Sequence, residues 1–324
     1  MLKVSELHNQ ANARLENAGN PKRLALIHTA IALGASFLLT LINYLLSLGI
    51  ADTGGLDGVG TRTILSTAQA MLELVVILTL PFWQLGIFYT ALRWAKGEAA
   101  EFSDLLQGFR RLGSAIGLLI LRSILFIALA VIVLNVSTFV FMMTPFADPL
   151  TDIYAPLMEQ ALTPEQLVEL LTPELMASAA RASIPLLIIS GILLVLVAVP
   201  AFYRIRFADY ALMDGLTCGK AMVQSFTVTR GSCWQVAKLD LSFWWFYLLQ
   251  MLSVALCNAD LALTYLGVSL PVSGVAATLL FYALGIICQI LLLWQFEAKR
   301  VTTYALAYRA LEGAPDNENT AEEV

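Results

Sequence analysis

Charge is what this sequence has least of. Asp, Glu, Lys and Arg together make up 13% of its 324 residues, against about 25% in a soluble domain. The deficit is concentrated in long, almost uncharged stretches, and the charges collect between them. That distribution points to lipid as the solvent of most of the chain. With 19 Lys+Arg against 24 Asp+Glu, there is no basic excess to hold nucleic acid. Histidine is confined to His8 and His28, so a His-based metal site or a Ser-His-Asp triad deeper in the chain has no material. Cys218, Cys233, Cys257 and Cys288 lack C-x-x-C or metal-like spacing and read as small apolar fillers. H-E-x-x-H, G-x-S-x-G, paired-aspartate and phosphate-loop motifs are missing. No cofactor is therefore expected, and an enzyme is the least favoured class.

What is present is a series of apolar runs. A span needs about 20 apolar residues to cross about 30 Å of hydrocarbon. Six segments qualify: Leu24–Ile50, Ile64–Leu92, Gly113–Met142, Ile184–Arg204, Val236–Cys257 and Val272–Phe296. The fifth carries Lys238 and Asp240 at its start. Pro81, Pro185 and Pro200 are compatible with kinks or helix ends. The expected fold is an all-α polytopic membrane bundle of about six transmembrane helices. Residues 1–23 form a polar segment, helical in pattern and unlike a cleaved signal peptide; residues 24–311 form the membrane domain. The tail 312–324, with Asp316, Glu318, Glu322 and Glu323, reads as disordered.

Lys and Arg in the connections set the orientation. Lys3, Arg14, Lys22, Arg23, Arg93, Lys96, Arg110, Arg111, Arg204, Arg206, Lys220, Arg230, Lys238, Lys299, Arg300 and Arg309 fall on one side; only Arg62 and Arg181 fall on the other. The first set is expected in the cytoplasm, with both termini.

Two connections on that side read as interfacial helices. In 93–112, Phe102, Leu105, Leu106 and Phe109 recur at i, i+3, i+4 and i+7, one helical face. In 209–235, Leu216, Met222, Val223 and Phe226 lie between Lys220 and Arg230. Trp94 and Trp234 are expected to flank them at headgroup depth. Packing under the bundle and docking of a membrane-protein partner are both open readings. The external connection 144–183 reads as two short helices capped at Thr163-Pro164-Glu165-Gln166 and Thr172-Pro173-Glu174, forming a solvated acidic cap.

Charge inside the spans is rarer still. Glu73, with Gln69 one turn before it, and Arg122 fall about 13 and about 16 Å below the outer boundary at 1.5 Å per residue. Each costs at least about 2.5–3.5 kcal/mol in hydrocarbon and needs a polar partner. Pairing of Glu73 with Arg122 is expected, either as a polar site or as an ion pair fixing helix register. Asn43, Asn135, Gln250 and Gln289 are expected in interhelical hydrogen bonds, and Gly113-x-x-x-Gly117 at a close helix approach. Asp240, beside Lys238 and within reach of Arg204 or Arg206, reads as a structural junction rather than a catalytic group.

The segments Phe207-Ala-Asp209-Tyr210-Ala-Leu, Ala221, Ser225 and Lys238-Leu239-Asp240-Leu241-Ser242-Phe243 followed by Trp244-Trp245 resemble a bacterial membrane-protein family, domain of unknown function nine-seven-five. Lys96-Gly97 through Phe102-Ser-Asp104-Leu to Gly108-Phe109, and the Tyr/Ala-rich helix Tyr304–Leu311, also fit its pattern. The resemblance covers about residues 80–311. The family is similar to the membrane domain beside some glycerophosphodiester phosphodiesterases, whose catalytic barrel is missing from this sequence. It implies a bacterial cytoplasmic-membrane architecture and little about activity. Two roles stay open: a non-enzymatic scaffold or accessory subunit of the cell envelope, and a small transporter or lipid-handling protein built on Glu73, Gln69 and Arg122. The lipid bilayer is the one certain partner class, and the oligomeric state is left open.

Overall fold

The computed structural model describes residues 3–52, 58–148, 173–259, 263 and 274–313. Every element among them is helical: α1 (Val4–Asn17), α2 (Pro21–Asp52), α3 (Gly58–Lys96), α4 (Phe102–Leu105), α5 (Gln107–Arg110), α6 (Leu112–Met142), α7 (Pro173–Ile205), α8 (Ala208–Met213), α9 (Cys218–Val228), α10 (Cys233–Ser242), α11 (Trp244–Cys257) and α12 (Gly274–Glu312). Five helices are long and apolar enough to cross a membrane, and α10 with α11 makes a sixth crossing if the bent pair is one span. The fold is an all-α polytopic membrane bundle.

Five of the six expected spans lie in α2, α3, α6, α7 and α12. The prolines end none of them: Pro81 lies inside α3, and Pro185 and Pro200 inside α7. The fifth expected span is not one helix. Phe243, with φ −101° and ψ 16°, caps both α10 and α11, and the two axes differ by 60°. The Tyr/Ala-rich helix expected at the end is likewise not separate. It is the continuation of α12, whose 39 residues measure about 58 Å. Pro173 opens the 33-residue α7, so the second short helix expected in the external connection is the start of a long one. The first lies outside the described residues, as does the acidic tail from residue 314.

The chain divides into two compact units, residues 1–118 with 206–324, and residues 119–205. In the first, α12 packs against α11, α2, α3 and α1, and α9 packs against α8 and α12. Its core lies at the α1 end, where Trp94, Tyr304, Tyr308, Phe207, Phe246 and Leu212 are fully buried. In the second unit, Phe141 and Ala147 are buried with Leu186 and Ile189 against them, while Leu187, Ile188, Val195 and Leu196 are exposed. Exposure of such residues is what lipid as the surrounding solvent permits.

The first connection folds back on α3. Gly97, at φ +81°, ends α3 with its N–H on the Trp94 carbonyl at 2.8 Å, a left-handed cap that suits glycine. Glu101 and Asp104 then close a capping box on α4. A Cβ at Gly86 of α3 would collide with the Leu105 carbonyl, and one at Gly108 of α5 with the Phe82 carbonyl. Two missing side chains thus let three backbones touch. The expected single amphipathic face is corrected accordingly: α4 and α5 are separate four-residue turns. Leu105 is buried, whereas Phe102, Leu106 and Phe109 are exposed. Trp94 is corrected too. It is fully buried, at the end of α3 where Arg14 of α1 lies beside Gly97 and where a headgroup layer was expected.

Candidate functional site

Asp240 gathers the densest polar contacts. It sits on α10 one turn before the break at Phe243. Its Oδ1 accepts from Arg206 Nη2 at 3.3 Å, from the Tyr247 hydroxyl at 3.2 Å, and from the Tyr304 hydroxyl. The Arg206 guanidinium also lies over the Tyr304 ring, 4.7 Å from its centroid, a cation–π distance. One carboxylate oxygen thereby ties α10, α11, α12 and the segment leading into α8. Of the three donors, Arg206 makes a charge-assisted bond and the two tyrosines neutral ones. Arg204, the other cation expected near Asp240, is exposed at the end of α7. Lys238 adjoins Asp240 in sequence but occupies the opposite face of α10, two residues being about 200° of helical rotation.

Further carboxylate–cation pairs surround this junction. Glu297, buried, accepts from Arg300 Nε at 2.9 Å and Nη2 at 2.8 Å, and the Arg300 guanidinium lies 5.5 Å from the Phe246 ring. Arg93 donates to buried Asp104 at 2.7 Å and to Glu98 at 3.1 Å. Arg309 joins Asp214 and Glu312. Sequence reading treated Arg93, Arg300 and Arg309 as topology markers and passed over Glu297. The available signal was the i, i+3 spacing of Glu297 and Arg300. Tyr210 donates to the Val301 carbonyl at 3.1 Å, and Phe88, Phe207, Tyr210 and Tyr308 pack ring to ring.

The N-terminal helix closes the same region. Leu7 and Ala11 of α1 are buried. His8 Nε2 lies 2.9 Å from Ser242 Oγ, with its ring edge-on to Phe243 at 4.8 Å. Burial, then the Lys299 ammonium, lower the His8 pKa from its ordinary 6.5. Ser242 donates to the Leu239 carbonyl at 2.6 Å, and among the described residues no hydrogen bond reaches His8 Nδ1.

In the mid-span region, Gln69 Nε2 donates to Glu73 Oε1 at 3.2 Å along α3. Glu73 lies in the first unit and Arg122 in the second. Asn135 bonds the Val131 carbonyl of its own helix at 2.7 Å rather than a neighbour. Gly117 approaches Cys218 of α9, whereas Gly113 faces open space. Among the described residues, no three His, Cys, Asp or Glu side chains come together to hold a metal ion.

Compared with known proteins, the chain matches no family model, no curated protein and no solved structure.

Proposed function

We propose that this chain is a non-enzymatic scaffold or accessory subunit of a bacterial cytoplasmic membrane, with both termini on the cytoplasmic side. Membership of the family its motifs resemble belongs to the same proposal. The observation that carries it is the commitment of charged groups at the α1 end to one another. Asp240 has three donors on one oxygen, and Glu297, Asp104 and Asp214 each hold an arginine. Asp240, Asp104 and Asp214 held in this way link separate elements, and Glu297 pairs with Arg300 along α12. The orientation rests on the lopsided distribution of Lys and Arg.

A second reading, a small transporter or lipid-handling protein, draws on one observation: the hydrogen-bonded Gln69–Glu73 pair in the apolar length of α3. In this reading Glu73 and Gln69 line a polar path. Two variants, Asp240→Asn and Glu73→Gln, separate the readings in cells that depend on the chain. The scaffold reading expects Asp240→Asn to lower membrane abundance and cellular phenotype in parallel, and Glu73→Gln to leave the phenotype intact. Loss of the phenotype in Glu73→Gln at unchanged abundance replaces the scaffold with the transporter.

A further inference from the structure

Helix α10 has two faces. Val236 and Leu239 are buried and Asp240 turns inward to Arg206. Trp234, Lys238 and Leu241 recur at i, i+4 and i+7 on the other side. Trp234 and Leu241 are 69% and 66% exposed, and the Lys238 ammonium lies 5.6 Å from the Trp234 ring centroid. This stripe runs on across the Phe243 break into Trp244, Leu248 and Met251 of α11, all exposed.

The bend sets the depth of the stripe. With α11 along the bilayer normal, its 14 residues rise about 21 Å, and the 10 residues of α10, bent by 60°, add about 7 Å. The pair then reaches about the thickness of the hydrocarbon layer, which brings the start of α10 to its edge. An indole and an ammonium side by side suit that depth. The outer face of α10 carries one cation and no carboxylate.

We propose that this face binds an anionic phospholipid. Trp234 and Leu241 seat among the upper acyl carbons, and Lys238, held over the indole, donates to the lipid phosphate. Continuity with the lipid-facing side of α11 and the positive charge favour this occupant over a protein. The proposal rests on the membrane fold and is independent of the scaffold reading.

The test uses the full chain reconstituted in phosphatidylcholine vesicles containing increasing amounts of acyl-brominated phosphatidylglycerol or acyl-brominated phosphatidylcholine. Quenching of Trp234 is taken as the difference between the wild type and Trp234→Phe. The expected association constant is about five-fold higher for phosphatidylglycerol. Lys238→Gln removes that preference, and Lys22→Gln, at another basic position, keeps it. Equal quenching by the two lipids in the wild type overturns the proposal, as does a preference that survives Lys238→Gln. Loss of the preference in Lys22→Gln assigns it to general surface potential and also overturns the site. Absence of quenching by either lipid means that protein covers the face, which sinks the proposal too.

Discussion

At the α1 end, helices of the first unit meet over Trp94, Tyr304 and Tyr308 with almost no side-chain surface left open. Further along, the same helices touch through a few small contacts: Thr40 with the Tyr282 hydroxyl at 3.0 Å, Phe37 stacked on Tyr282, and Gly285 against Cys257. Ile77, Leu78 and Leu280 remain exposed there. The first region resembles a water-soluble core, with interdigitated aromatics and paired charges. The second is what a lipid solvent allows, since apolar surface gains little by leaving acyl chains. Among the described residues of the first unit, the hydrogen bonds and ion pairs between helices therefore gather mostly at one end.

The sharpest way to break this contrast is Gly86→Ala. The new methyl meets the Leu105 carbonyl, and a destabilisation of about 3 kcal/mol is expected from overpacking against backbone. Gly113→Ala, in open space, should be neutral or stabilise by about 0.5–1 kcal/mol through helix propensity. Thermal unfolding of the purified chain in one detergent measures both. Next in size is Asp240→Asn, which removes the negative charge of the Arg206–Asp240 pair. Partial solvent access to both groups screens the pair, leaving about 2 kcal/mol. Asn135→Ala, which removes only a bond within its own helix, should change stability by less than about 0.5 kcal/mol. Tyr304→Phe deletes one donor to Asp240 and keeps the ring under Arg206; a loss of about 1 kcal/mol is expected in the same melt.

The smallest effect is set by pH. The folded-state pKa of His8 lies below its ordinary 6.5, so the undocked helix binds the proton more readily than the docked one. Docking of α1 should be at full strength above about pH 6.5 and weaken as pH falls through the lowered folded value. Hydrogen exchange of the Leu7 and Ala11 amides measures it, and His8→Gln should flatten the profile.

The apolar spans were legible because a bilayer imposes length and polarity on every crossing. Lys238 and Asp240 at the start of the fifth run signalled trouble there, though not a 60° break. Arg204 and Arg206 were both legible as candidate partners of Asp240 from charge and a shared side of the membrane, and Arg206 is the one that bonds it. Tyr247 and Tyr304 were not. Both are ordinary aromatic residues of apolar helices, and Tyr304 reaches Asp240 across 64 positions. Trp94 misled because indoles at span ends usually meet headgroups. Here that end of α3 lies beside α1, and the close backbone approaches at Gly86 and Gly108 leave no hydrophobic pattern to read.

The order of synthesis gives α12 a further consequence. Chains emerge from the ribosome N-terminus first, and α12 is the last described helix. It supplies Tyr304 to Asp240, Arg309 to Asp214 and the Val301 carbonyl to Tyr210. Until it arrives, Asp240 lacks the Tyr304 donor, Asp214 lacks Arg309, and Tyr210 lacks the Val301 carbonyl. The α1 end is thus completed only once α12 has been made, and a nascent chain halted before residue 297 would present Asp240 without its Tyr304 donor and Asp214 without Arg309 to whatever inspects newly made membrane proteins.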